Sequence, residues 1–157
     1  MYPNLFDADD EAIGRWEHNG VVVDLPANAT KQWLTTHKFL WCADPLRTFI
    51  KQHQPLILFG VSDNTFDFID FFDQVFFLHA PCEKLLERVQ HDSRSNPLGK
   101  TEEHRKIIEL YYKEDCEQAR AHNIPFIDAT QSPEKILADI LSPRYLNSAV
   151  DGPVTLR

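Results

Sequence analysis

Glycine is scarce, at five in 157 residues. A loop that wraps phosphate in backbone amides needs glycines at fixed spacing, Gly-x-x-x-x-Gly-Lys-Ser/Thr, after a buried strand and ahead of a helix. The one Gly-Lys pair is Gly99-Lys100, followed by Thr101. The first glycine of the motif would fall at residue 94, which is arginine. The stretch before it, "CEKLLERVQH", carries Leu85, Leu86 and Val89 at helical spacing, so a helix leads in rather than a strand. The printed sequence therefore holds no phosphate loop of that kind.

Cysteine is also sparse. The three, Cys42, Cys82 and Cys116, have neither metal-ligand spacing nor the pattern of a disulfide framework, and a reducing, cytoplasmic setting is expected. Positive charge falls short of negative, 16 Lys and Arg against 24 Asp and Glu, for a net charge of -8. That balance argues against a non-specific grip on nucleic acid. No apolar run is long enough to cross a bilayer, and "MYPNLFDADD" does not read as a leader. A membrane partner is not expected. The local exception in charge is the group Arg88, Arg94, Lys100, Arg105 and Lys106.

Three short, continuous apolar runs are present: "PLILFGV" at 55–61, "QVFFLHA" at 74–80 and "IPFIDA" at 124–129. Turn residues bound each one, as for strands buried on both faces of a parallel sheet. A fourth candidate is "NLFDAD" at 4–9. Helices are expected between them. Asp44-Pro45 reads as a cap and first-turn proline. Further helices are expected at about 82–91, at about 102–122 behind Thr101, and after Ser132-Pro133. Ile107, Ile108, Tyr111 and Tyr112 form the expected inner stripe of the long one. "DNTFDFIDFFD" reads as a short helix, Trp33 and Trp41 as core, and 10–43 carries no assignment. Strand–helix alternation predicts an α/β domain over 1–141 with a parallel sheet, followed by a tail at 142–157. Ligands in such sheets sit beyond the carboxyl ends of the strands.

The order of "FDADD", "PLILFGVSDN", "FDQVFFLHAPCEKLLERV", "SRSNPLGK" and "FIDATQSPEKILADIL" resembles the small P-loop kinases. The likeness is to shikimate-, adenylate- and nucleoside-kinase-like proteins, often labelled ATP-binding or AAA-family, and it spans roughly residues 2–141. It implies a three-layer P-loop-kinase-like domain that binds ATP and Mg2+ and passes phosphate to a small-molecule acceptor. It also implies a lid at about 92–101. Arg88, Arg94 and Lys100 would contact the donor phosphates, whose charge must be balanced in a positioned site. Asp7 and Asp9 would serve the acceptor hydroxyl and the metal, with Asp9 towards the metal. Arg94 would join them in catalysis. Thr130 and Gln131 would lie beside the nucleotide, and Arg15, Trp16, Gly60 and Asn64 beside the acceptor.

Such kinases also begin with a strand, the phosphate loop and a helix that have no counterpart in these residues. Their first strand lies between those at 55–61 and 75–80. The expectation is therefore a chain with little turnover of its own, a sheet of about four parallel strands if the gap closes, and a tendency to self-associate. The alternative is a non-catalytic short protein that binds a partner or a nucleotide.

Overall fold

A computed structural model describes residues 3–9, 11–26, 28–91 and 98–142. They fall into two compact units, Met1–Phe71 and Phe72–Arg157.

In the first unit, β1 (Asn4–Asp7) pairs in parallel with β5 (Leu56–Phe59), from Asn4↔Leu56 to Asp7↔Phe59. Helix α2 (Ala43–His53) covers one face of this pair. The Phe6 ring lies 4.9 Å from Phe49 and 4.8 Å from His53, and Leu46 is fully buried. Among the described residues β5 has a strand on one edge only. The α2 helix starts one residue before the expected cap. The Cys42 N–H is held by the Ile13 carbonyl at 2.8 Å, which keeps Cys42 extended as N-cap. Asp44 falls in the first turn, where its carboxylate suits the positive end of the helix dipole.

The stretch left unassigned by sequence is structured. Strands β2 (Gly14–His18), β3 (Val21–Val23) and β4 (Lys38–Trp41) form an antiparallel sheet in the order β3-β2-β4. The expectation of parallel strands alone is thus corrected. Asn19 and Gly20 both have positive φ, 49° and 78°, the two-residue hairpin turn whose twist matches its strands. A short helix α1 (Lys31–Thr36) follows, with Thr30 Oγ1 accepting the Trp33 N–H at 3.2 Å. Trp16 packs at 4.9 Å from Trp33 and 5.6 Å from Phe39. Trp41 is buried, as expected, while Trp33 is part-buried. The expected short helix is a 3-10 helix, Thr65–Phe71, anchored by buried Phe68.

In the second unit, β6 (Phe77–His79) pairs in parallel with β7 (Phe126–Asp128). Helices α3 (Cys82–Gln90), α4 (Glu102–Ala121) and α5 (Pro133–Ile140) lie where the sequence places them. Thr101 and Ser132 are the caps, accepting from the N–H groups of His104 and Lys135. The inner face of α4 runs through His104, Ile107, Cys116 and Ala119. Tyr111, expected inside, is 37% exposed. The next residue, Tyr112, also expected inside, is half-buried and ties to Ala80.

Candidate functional site

β1 ends at Asp7 and the loop after it carries Asp9, both exposed. Asp7 Oδ1 accepts the Asp9 N–H at 3.0 Å, which turns the chain sharply as the strand ends. The loop after β5 passes close by. Gly60 has φ +152°, and a Cβ there would sit 2.5 Å from the Ala8 Cβ. Only glycine permits both that backbone and that approach.

Arg15 and Asn64, both expected at an acceptor site, line one cleft of about 380 Å³ in the first unit. Glu17, Leu40, Trp41, Cys42, Asp44 and Pro45 complete most of its wall. Arg15 and Glu17 lie two apart on β2 and so share a face. The guanidinium donates through Nε at 2.7 Å and through Nη2 at 2.6 Å to the same Glu17 oxygen. The hydrogen bond to Glu17 raises the Arg15 pKa above its ordinary value. The Glu17 side chain is 16% exposed and the Arg15 side chain 52%, so the carboxylate is sunk and the cation reaches outward. Trp16 faces the other way and joins the Trp33–Phe39 cluster rather than the cleft.

Asn64 is largely spent on structure. Its Oδ1 accepts the Trp41 N–H and the Ser62 hydroxyl, both at 2.9 Å, and its Nδ2 donates to the Trp41 carbonyl at 3.1 Å. One amide N–H remains for a ligand. Its neighbour Asp63 accepts the Phe39 N–H at 2.7 Å and returns its own N–H to the Phe39 carbonyl. The Ser62–Asn64 loop thereby acts as a further strand on β4. Burial of Asp63 raises its pKa above the usual carboxylate value, against the opposing backbone bond from Phe39.

In the second unit, the strand ends are tightly organised. The Tyr112 hydroxyl accepts the Ala80 N–H at 3.0 Å and donates to the Ala80 carbonyl at 2.7 Å. His79 Nδ1 lies 2.6 Å from the same phenol oxygen. Burial raises the Tyr112 pKa. Beyond β7, Asp128 Oδ1 accepts both the N–H of Thr130 at 2.8 Å and its hydroxyl at 2.7 Å. Those bonds lower the Asp128 pKa. Gln131 donates to the Asp128 carbonyl and to Asp139. Thr130 and Gln131 thus shape a preformed loop by bonding within it.

Arg88 is exposed in the last turn of α3. Lys100 does not stand free: its ammonium donates to the carbonyls of Gln90 and His91. Arg94 lies outside the described residues, as do 92–97 of the expected lid and 143–157 of the expected tail. Glu17 and Cys42 were missed as cleft residues. The alternating charge of "RWEH" was the available signal for Glu17. Nothing in the sequence pattern singled out Cys42.

The shikimate kinase family model matches residues 60–143, just over half of the chain. The chain belongs to the shikimate kinase family. No curated protein and no solved structure matches it. The matched span runs from the loop after β5 through β6, α3, α4, β7 and α5. Family membership supports a P-loop-kinase-like, mixed α/β protein of the nucleotide-binding, phosphate-transferring kind. No helix among the described residues is long and apolar enough to cross a membrane.

Members of the family use ATP and Mg2+. The fit of these residues to that pair is partial. Mg2+ is commonly held by one or two carboxylates together with substrate phosphates, and Asp7 and Asp9 could supply the carboxylates. No group of three His, Cys, Asp or Glu placed to hold a metal occurs among the described residues. The backbone cradle for the phosphates has no counterpart in the 157 residues, whose single Gly-Lys pair follows α3. The group does not fit these residues alone.

Proposed function

We propose that this chain is a nucleotide-binding, kinase-like protein. Its architecture serves phosphate transfer from ATP to a small molecule, and the printed residues by themselves do not turn ATP over at an enzyme-like rate. The family match over 60–143 carries the reading. The organised loop after β7, with Thr130 and Gln131, is the nucleotide side. The cleft of Arg15, Glu17 and Asn64 is the acceptor side, where the outward guanidinium and the remaining Asn64 N–H offer donors to a polar ligand. Asp7 and Asp9 sit at a strand end, the customary place for ligand chemistry in such sheets. A second reading is a non-catalytic binding protein, favoured by the sequence having no Gly-x-x-x-x-Gly-Lys-Ser/Thr.

The test is calorimetric titration with ATP and Mg2+, paired with hydrogen exchange and a phosphate-release assay. Saturable binding that slows exchange at 128–131, with no release above background, supports the proposal. Enzyme-like turnover lost in Asp7→Ala would overturn the inactivity. Failure to bind at millimolar nucleotide would overturn the nucleotide reading and leave the second.

A further inference from the structure

The Gly99-Lys100 pair, so suggestive in sequence, has a specific place in the fold. Gly99 is buried with φ +99°, and a Cβ there would lie 2.7 Å from the Val89 Cβ. Lys100 Nζ donates to the His91 carbonyl at 2.5 Å and to the Gln90 carbonyl at 3.4 Å. These are carbonyls at the end of α3, which the helix cannot satisfy and whose partial negative charge favours a cation. From the first turn of α4, Arg105 Nη1 donates to the Lys100 carbonyl at 3.1 Å and to the Gly99 carbonyl at 3.5 Å. The chain from Gly99 to Arg105 is therefore tied at both ends, to α3 through the lysine and to α4 through the arginine.

We propose that Lys100 is a positioning residue and not a phosphate ligand. It fixes the spacing between the end of α3 and the start of α4. Two of the three ammonium donors are engaged with these carbonyls, which anchors the side chain against the end of α3. The glycine before it lets the backbone come close enough to Val89 for the reach to succeed. The role in nucleotide binding rests on the reading given above; the tie itself does not.

Hydrogen exchange on the full chain without nucleotide tests the tie. In Lys100→Met, exchange in the last turn of α3 and at 98–101 should quicken about three- to tenfold. Lys100→Arg, which keeps donors at similar reach, should restore most of the protection. Unchanged exchange in Lys100→Met would overturn the proposal. Titration with ATP and ADP then tests the positioning role. A positioning residue weakens both by a similar factor, and Lys100→Arg recovers them. Selective loss of ATP with ADP unaffected would mark Lys100 as a contact to the terminal phosphate and overturn the proposal. If the wild type binds neither nucleotide, the functional reading and the positioning role fail together, while the exchange result still decides the tie.

Discussion

Asn64→Ala removes a side chain that behaves as a piece of β-strand. Three hydrogen bonds go, from the Trp41 N–H, from the Ser62 hydroxyl and to the Trp41 carbonyl. Trp41 is 6% exposed, so water reaches the stranded peptide groups poorly. A net hydrogen bond contributes about 1 kcal/mol, and a stranded buried donor costs about 1–3 kcal/mol, so the loss should be about 2–4 kcal/mol. That is a large share of a typical stability of about 5–15 kcal/mol. All three tryptophans, Trp16, Trp33 and Trp41, belong to the first unit, so their fluorescence in urea reports that unit alone. The expected result is a lower midpoint at unchanged slope. A loss below about 0.5 kcal/mol would refute the role, since that is the scatter of ordinary surface substitutions.

Tyr112→Phe should cost about 1–3 kcal/mol by unpairing the Ala80 N–H and carbonyl; it should also remove a tyrosine step displaced above the ordinary tyrosine range in an ultraviolet titration, because burial raises that pKa. Gly60→Ala should destabilise the first unit by about 1–3 kcal/mol through overpacking against Ala8, and full wild-type stability in a urea melt would contradict the close approach. Asp63 has a folded pKa raised by burial, so its contribution to stability is present below the ordinary aspartate pKa and is lost as pH rises through the raised value. Asp63→Asn should therefore flatten the stability profile of the first unit across that window while keeping an acceptor for the Phe39 N–H, and an unaltered profile would count against it.

The strands at β5, β6 and β7 were legible because each is a short apolar run between turn residues. The caps at Thr101 and Ser132 were legible because a hydroxyl precedes acidic first turns. The antiparallel sheet was not found, although Asn19-Gly20 is a strong hairpin signal between "GRWEH" and "VVV". Its strands are three to five residues long and mix charge with aromatics, so neither template is satisfied well. Within the candidate site, the carboxyl-end rule pointed to the loops after the strands. It could not tell side chains aimed at ligand from side chains spent on their own backbone. Asn64, Thr130 and Lys100 all proved to have structural partners, because a polar side chain in a tight loop finds the nearest unsatisfied peptide group first.

The pairing of β1 with β5 bears on how the first unit folds. Asn4 and Leu56 are roughly fifty residues apart, a costly loop to close in an unstructured chain. The antiparallel sheet lies inside that loop, and its hairpin closes over the two residues Asn19 and Gly20. Once it and α2 have formed, most of the intervening chain is already compact, and the remaining closure is short. Such an order makes the hairpin turn the rate-setting region for folding, so that replacing Gly20 by a β-branched residue slows refolding. Truncating Phe6, whose strand joins last, should mainly hasten unfolding.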